Sequence, residues 1–450
     1  MSDLLLSFSR HPAARSLIRG LGLPTPVALQ RASGPCVALP LSAARVALND
    51  AGDTAVARAL RAVLVQSGAT LLAEDAGPAQ ATALLFDATA LRSVAQCGAL
   101  YDYFQPRLAA LPAQARVLVL AASPEHAGKP AAAAVARGCE GFVRSLAKEL
   151  GRRGATANLI YVEPDAAHRL EGPVRFLLSP RSVFVSGQPL RVSATAAAAP
   201  RATAVQPLRD KIALVTGAAQ GLGAATALRL SEEGAQVICV DIPASASALE
   251  STAQRVGGSA FLLDVTQPDA PQQLATLLRE QHGGADVLVH NAGVIRDRTL
   301  AKMDAQSWDR CLAVNLDAIL RIDSLLIDSG LLHDEGRIIC LSSIAGVAGN
   351  VGQTNYALTK AAVIGYVAAQ AQRLAARGIP VNAVAPGLIE TPMMLSMPFV
   401  WREVARRMNS LSQAGVPLDV AEAVTFLSTP SAVGITGQTL RVCGQNLIGA

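Results

Sequence analysis

Short runs of aliphatic residues recur along the chain, each followed by a longer stretch in which apolar residues return every three to four positions. Before residue 193 the runs are Val46-Ala47-Leu48, Thr70-Leu71-Leu72, Leu84-Leu85-Phe86, Val117-Leu118-Val119-Leu120 and Leu159-Ile160-Tyr161-Val162. After residue 207 they are Ile212-Ala213-Leu214-Val215, Val237-Ile238-Cys239-Val240, Val287-Leu288-Val289, Ile338-Ile339-Cys340-Leu341 and Val381-Asn382-Ala383-Val384. Unbroken Val/Ile/Leu runs predict parallel strands buried on both faces, and their alternation with helical patterns predicts βαβ units. Between the two sets, Ser193-Ala194-Thr195-Ala196 continues through alanines to Pro200 and on to Pro207 without periodicity, which reads as a linker. The expected fold class is α/β, with two tandem doubly wound parallel-sheet domains over 1–192 and 208–450, joined by 193–207.

The two halves resemble each other. Gly141-Phe142-Val143, Gly154 and Asn158 align without gaps on Gly365-Tyr366-Val367, Gly378 and Asn382. At one fixed spacing, Val174, Phe176, Leu177, Pro180, Gly187, Gln188, Leu190, Arg191 and Val192 recur as Val424, Phe426, Leu427, Pro430, Gly437, Gln438, Leu440, Arg441 and Val442. This pattern points to one duplicated ancestor.

Composition narrows the class. With 51% hydrophobic and 16% charged residues, the chain is not intrinsically disordered. A mean hydropathy of +0.34 raises the question of a membrane span, yet no run approaches the ~18 apolar residues one needs. A net charge of +5, carried by scattered basic residues, excludes a phosphate-tracking stripe, so no nucleic-acid partner is expected. The start, Met1-Ser2-Asp3-Leu4-Leu5-Leu6, lacks the features of a secretory signal. Cys36, Cys97, Cys139, Cys239, Cys311, Cys340 and Cys443 form no C-x-x-C and read as small buried residues in a reducing compartment. A cytoplasmic protein with no metal site is expected.

Candidate chemistry is concentrated after the linker. Thr216-Gly217-Ala218-Ala219-Gln220-Gly221-Leu222-Gly223 lies between a strand and a helical run from Ala224 to Glu233, where glycines let backbone N–H groups approach a pyrophosphate. Asp241 ends the next strand, placed to accept both hydroxyls of an adenosine ribose and to repel a 2′-phosphate. With Gln220 in the loop where a basic residue would favour that phosphate, NAD(H) is expected over NADP(H). Tyr356 and Lys360 share one helix face. Tyrosine ordinarily titrates near 10, and an adjacent ammonium is expected to lower that value. Ser343 follows a strand and can hydrogen-bond a carbonyl oxygen that Tyr356 protonates, while Asn315 is a candidate to hold a water linking Lys360 to solvent. Singly, each feature has a plain structural reading: a tight turn, a solvated aspartate, a surface Tyr/Lys pair.

Together and in order, they make residues from about 208 to 450 resemble the short-chain dehydrogenase/reductases. The shared motifs are Thr216-Gly217-x-x-x-Gly221-x-Gly223, Asn291-Ala292-Gly293, Asn315, Ser343, Tyr356-x-x-x-Lys360 and Pro386-Gly387. Asn291-Ala292-Gly293-Val294-Ile295-Arg296-Asp297 and Gly352-Gln353-Thr354-Asn355-Tyr356-Ala357 look most like 3-oxoacyl-[acyl-carrier-protein] reductases. The whole chain resembles their high-molecular-weight class, in which a degenerate flavodoxin-like domain precedes a Rossmann-fold reductase; the resemblance extends to Arg441-Val442-Cys443-Gly444-Gln445 and Ile448-Gly449-Ala450. It implies Asn315, Ser343, Tyr356 and Lys360 as the catalytic set. It places Gly217, Gln220, Gly221, Leu222, Gly223, Asp241 and Ile242 along the cofactor, with Asp264 and Val265 flanking the adenine. Asn291, Ala292, Gly293, Pro386, Gly387 and Ile389 fall on the nicotinamide side, and Thr391 on the carboxamide or phosphates. Two departures stand out. His290 replaces the first residue of the family's Asn-Asn-Ala-Gly and reads as a packing residue, and Gln220 with Asp241 departs from the usual NADPH-preferring loop.

The first half lacks this chemistry. Ala132 and Ala136 stand where the repeat has Tyr356 and Lys360, Ala121-Ala122 stand for Ser342-Ser343, and Asn49-Asp50-Ala51-Gly52-Asp53 replaces the glycine loop. Its expected roles are dimerisation, shaping the substrate entrance or docking a carrier. His11, Arg15 and Arg19 read as a solvated helix face beside Leu4, Leu5 and Ile18. Arg296, Arg298 and Lys302, on a loop the family places at the active-site mouth, are equally readable as exposed charge or as partners for the phosphates of coenzyme A or a phosphopantetheine arm. The leading expectation is NADH-dependent reduction of 3-oxoacyl thioesters, carried by acyl-carrier protein or coenzyme A, by a homodimer. The alternatives are a short-chain dehydrogenase of another alcohol, an oxidative 3-hydroxyacyl-CoA dehydrogenase, or an NAD-sensing scaffold.

Overall fold

The computed structural model describes residues 3–8, 16, 20, 25–50, 52–73, 77, 80–197, 205–392, 394 and 399–446. The first half builds a six-stranded sheet from β1 (Arg45–Asn49), β2 (Thr70–Leu71), β3 (Ala83–Asp87), β4 (Arg116–Ala122), β5 (Thr156–Val162) and β6 (Pro189–Val192), ordered β2-β1-β3-β4-β5-β6. The second builds a seven-stranded sheet from β7 (Ile212–Thr216), β8 (Gln236–Asp241), β9 (Ser259–Leu262), β10 (Ala285–His290), β11 (Leu332–Leu341), β12 (Val381–Pro386) and β13 (Thr439–Val442), ordered β13-β12-β11-β10-β7-β8-β9. All their pairings are parallel.

The first order is the flavodoxin-like one and the second the Rossmann one. Each of the ten aliphatic runs lies in or overlaps a strand. Where both faces are covered, as in β3, β5, β10 and β12, every residue is buried. The edge strand β9 instead alternates half-buried and exposed positions, and so carries no aliphatic run to betray it. In the second sheet the strand order reverses between β7 and β10, which opens a crevice at their carboxyl ends. The glycine loop leaves β7 and Asn291-Ala292-Gly293 leaves β10, so both motifs line that crevice.

The linker is not free at its start. Ser193 N donates to Gly434 O at 2.9 Å, Ala197 N to Ala375 O at 2.8 Å, and Ala196 is buried beside Val433. Residues 198–204, His11, Arg15, Arg19, Ile18 and the terminal Ile448-Gly449-Ala450 lie outside the described residues. Among those described, no helix is long and apolar enough to cross a membrane.

The halves share a core. Phe176 and Phe426, equivalent in the repeat, stack on one another with centroids 4.2 Å apart and planes 4° from parallel. Arg191 N donates to the Gln438 side chain at 2.7 Å, and Gln438 Nε2 donates back to Arg191 O at 2.6 Å, bridging the two edge strands. Around this centre Arg229, with 2% of its side chain exposed, is enclosed by Glu232, Glu233 and Glu422, and Arg181 reaches Glu422 from the first half at 2.7 Å. Arg31 pairs with Asp419 at 2.8 Å. One apolar cluster runs unbroken from Val174 and Phe176 to Val424 and Phe426.

Candidate active site

The glycine loop has the conformation that its sequence predicts. Gly217 has φ +67°, and a methyl group added there would lie 2.9 Å from Ala292 Cα; one added at Gly223 would lie 2.0 Å from Gly217 O. Only glycine fits either position, and the helix Gly221–Glu232 therefore begins directly under the crevice. Gln220 precedes it as an N-cap that makes no side-chain capping bond, and the space beyond Gly221 is open. A helix N-terminus with free N–H groups facing open space suits a pyrophosphate. Thr216 Oγ1 accepts from Asn291 N and Ala292 N, each at 3.1 Å, while Asn291 Nδ2 donates to Thr216 O and Gly217 O, each at 3.0 Å. These bonds lock the two motifs together.

Asp241 is fixed at the rim, its carboxylate accepting from Ala219 N at 2.9 Å and Ile242 N at 2.8 Å. Asp264 accepts from Thr266 and from Arg310, whose Nη2 lies 3.2 Å away, and Val265 is buried beneath. Arg310 carries no sequence signal and was missed. Ile389 is buried and bridges to Gly415, and Thr391 follows half-buried.

The catalytic candidates converge. Ser343 caps the short helix Ile344–Ala348, accepting from Ala345 N at 3.1 Å, and its hydroxyl favours the ionised form of the Tyr356 phenol. Tyr356 and Lys360 lie on the helix Thr354–Arg373, with Lys360 Nζ 5.7 Å from the centre of the Tyr356 ring. Asn315 stands in a π-helical turn, Ala313–Asp317, a distortion often found at functional sites. Its Oδ1 accepts from Val294 N at 2.8 Å, and its Nδ2 donates to Val294 O at 3.0 Å and to Thr359 Oγ1 at 3.3 Å. Asn315 Oδ1 and Lys360 Nζ both approach Gly293, lying 3.4 and 3.6 Å from where its Cβ would be. Thr359, which also donates to Tyr356 O, is a further residue the sequence did not single out.

The electrostatics differ from the expectation of a lowered tyrosine. Burial pushes Tyr356 up to about 12, against which the Ser343 hydroxyl acts. Burial likewise brings Lys360 down to about 8. The reason is desolvation, which disfavours the charged form of each group; Lys360 Nζ donates to Leu341 O at 2.7 Å. His290 points away from this chemistry into the interior, where Nε2 meets Asp323 Oδ1 at 2.7 Å and Tyr366 donates to Asp323 Oδ2 at 2.6 Å.

Known proteins match this half. A family profile described as "Enoyl-(Acyl carrier protein) reductase" matches residues 217–444. The 3-oxoacyl-[acyl-carrier-protein] reductase FabG of Thermotoga maritima is 39% identical over 242 residues, 53% of this chain and 98% of that protein. Those of Vibrio cholerae and Escherichia coli are 38% and 37% identical, covering 97% and 96% of their own lengths. With the glycine loop, the Asn315, Ser343, Tyr356 and Lys360 cluster and these relatives in agreement, the chain belongs to the short-chain dehydrogenase/reductase family of oxidoreductases.

Proposed function

We propose that this protein reduces 3-oxoacyl thioesters to 3-hydroxyacyl thioesters with NADH. The observation that carries the reading is the convergence of Ser343, Tyr356, Lys360 and Asn315 at the mouth of a glycine-loop crevice, in a half whose relatives are named as 3-oxoacyl-[acyl-carrier-protein] reductases.

When bound, the nicotinamide supplies hydride to the 3-keto carbon. The protein's part is binding and proton transfer. Gly217, Gly221, Leu222 and Gly223 would cradle the pyrophosphate, Asp241 and Ile242 the adenosine ribose, Asp264 and Val265 the adenine, and Asn291, Ala292, Gly293, Pro386, Gly387, Ile389 and Thr391 the nicotinamide side. Ser343 holds the keto oxygen, and the half-buried Tyr356, kept protonated, gives it a proton. Lys360 and Asn315, which meet at Gly293, restore that proton from solvent.

NADH rather than NADPH is supported by Asp241, whose fixed carboxylate occupies the place a 2′-phosphate would need, and by Gln220, which offers that phosphate no charge. The thioester carrier is read from the loop 294–302. Arg296, Arg298 and Lys302 are exposed there, and Arg298 N bonds to Gly352 O at 2.8 Å, beside the helix that bears Tyr356. Such cations suit the phosphates of a phosphopantetheine arm, on acyl-carrier protein or coenzyme A. Because the first half covers the helix Pro417–Ser428 and the edge strand β13, the assembly proposed is a homodimer, checked by light scattering. The functional test is a panel of 3-oxoacyl-CoAs, acyl-carrier-protein thioesters and unrelated ketones, each with NADH and NADPH. Selective thioester reduction with NADH is expected; turnover confined to the unrelated ketones would overturn the reading.

A further inference from the structure

The first half has no chemistry of its own at the repeat-equivalent positions, yet one of its side chains reaches the loop that carries Ile389. Phe184 lies between the 3-10 turn Pro180–Ser182 and β6, and is 1% exposed. Its ring is held between two glycines of the second half. A methyl group added at Gly415 would sit 2.7 Å from Phe184 Cδ1 and Cε1 and equally close to Ile389 Cδ1. One added at Gly444 would sit 2.8 Å from Phe184 Cε2, on the opposite edge of the ring.

The backbone is tied at the same place. Gly444 N donates to Phe184 O at 2.9 Å, Glu390 N to Gly415 O at 2.8 Å, and Gly415 N to Leu388 O at 3.0 Å. Gly444 O in turn accepts from Ser410 N at 3.0 Å. Three separate segments, 388–390, 409–415 and 443–446, therefore meet around one aromatic ring supplied from outside their own domain.

The internal repeat shows that this ring is a specialised feature. Val183-Phe184-Val185-Ser186-Gly187-Gln188 corresponds to Val433-Gly434-Ile435-Thr436-Gly437-Gln438. Across the local two-fold, Gly434 packs on Arg169 and Val192 of the chemically empty half. At the one position of this turn where the two copies differ by a whole aromatic side chain, the large residue faces the loop of the active half, and that half offers two glycines to receive it. Filling by a ring this size fixes a loop more tightly than a chain of hydrogen bonds alone, since close-packed interiors admit little displacement.

We propose that Phe184 is a positioning residue for hydride transfer: a wedge from the first half that sets the height of the 388–391 loop, through Ile389, against the nicotinamide. The proposal rests on the reading of Ile389 as a nicotinamide-side residue given above. It assigns the first half a part in the reaction that the single-domain relatives must fill by another route, because their matches cover only about half of this chain.

The test uses the full chain carrying Phe184→Ala or Phe184→Leu. Three quantities are read: kcat for thioester reduction with NADH, the Kd for NADH, and the Kd for ADP-ribose, which lacks the nicotinamide. Misplacement of a reacting group costs up to about 100-fold, so Phe184→Ala is expected to lower kcat by roughly tenfold or more and to raise the NADH Kd. The ADP-ribose Kd should stay within about twofold, and Phe184→Leu should recover most of the loss, as a bulky apolar replacement does. Unchanged kcat and NADH affinity in Phe184→Ala would overturn the proposal. So would a parallel loss of NADH and ADP-ribose affinity with a lowered Tm, which marks general destabilisation. If the wild-type chain reduces no thioester, the functional reading falls by itself, and the wedge is then judged by whether Phe184→Ala weakens NADH against an unchanged ADP-ribose Kd.

Discussion

The two halves of this chain share a scaffold and diverge at the places where chemistry would occur. In both, an asparagine on the strand beside the last edge strand, β5 or β12, braces the last turn: Asn158 Nδ2 donates to Val185 O and its Oδ1 accepts from Gln188 N, while Asn382 does the same with Ile435 O and Gln438 N. In both, a phenylalanine of the following helix packs at the common interface. The crevices are different. After β7 the glycine loop leaves a helix N-terminus open, whereas after β1 the loop carries Asp50, paired with Arg61 at 2.6 Å, and Asp53, paired with Arg58. Ala132 and Ala136 are buried where the second half has Tyr356 and Lys360. Among the described residues, the first sheet also has no counterpart to β9, the outer strand on the adenine side. The bracing asparagine and the stacked phenylalanine are matched between the copies, and the residues that would bind or turn over a substrate are not.

The comparison breaks most sharply at Tyr356. Tyr356→Phe keeps the ring and removes the proton, so turnover should fall by about 10²–10⁴-fold. The residual rate measures what cofactor binding and substrate positioning supply without that proton, and a variant with near-native turnover would show that Tyr356 is not the proton donor. A second large effect is expected at the interface. Arg229→Met leaves Glu232, Glu233 and Glu422 facing one another with their central cation gone; Arg181 still reaches Glu422 but not the other two. Breaking a buried ion group in this way costs about 3–5 kcal/mol, to be read from urea denaturation. A cost near zero would mean that this buried ion cluster adds nothing net to stability. The same geometry sets what removal of residues 1–207 should do. The truncated chain would expose Phe426 and the Glu422 cluster, so loss of stability is expected along with any change in assembly.

Lys360 supplies the pH dependence. Its burial lowers its folded pKa to about 8 from the ordinary 10.5. Between those values the unfolded chain holds the proton and the folded one does not, so the Lys360 contribution to stability increases as pH rises from about 8 toward 10.5. For catalysis the ammonium is the working form, and kcat/KM, which reports the free enzyme, should fall as pH rises through about 8. Lys360→Met should lose most activity and erase that limb; a limb that persists belongs to another group. A smaller effect concerns cofactor choice. Asp241→Ala with Gln220→Arg removes the carboxylate from the phosphate's place and supplies a guanidinium. The ratio of NADPH to NADH activity should rise by roughly tenfold, about the effect of 1.4 kcal/mol, and a wild-type preference for NADPH would refute the argument from Asp241.

Much of this was legible in the sequence because it depends on local rules. Aliphatic runs mark strands buried on both faces, and a glycine loop between strand and helix marks a crevice. What was not legible depends on contacts between distant segments. Edge strands such as β9 have no unbroken run, Thr359 and Arg310 act only through partners far along the chain, and nothing near Phe184 announces that its ring meets Gly415 and Gly444. The repeat aligned Phe176 with Phe426 but did not show that they stack on one another. The expected lowering of Tyr356 failed for a similar reason, since the burial that raises it comes from segments far along the chain.

The smallest predicted effect tests whether the matched interface is energetically real. Phe176 and Phe426 are nearly coplanar in stacking, at 4.2 Å, and belong to the apolar cluster common to both halves. Each single substitution to Ala removes a buried ring and should cost about 3–5 kcal/mol, most of it from lost burial that says nothing about the partner. The double-mutant cycle cancels that part. An aromatic pair is worth about 0.5–1.5 kcal/mol beyond its buried area, so the coupling energy should fall in that range, with NADH Kd unchanged in Phe176→Ala because that ring belongs to the first half. A coupling of zero would mean that the halves contribute to this core independently and that the two-fold contact is a consequence of tethering. A coupling in the expected range, with cofactor affinity unmoved, separates the symmetric contacts that hold the halves together from the asymmetric one, at Phe184, that would act on the reaction.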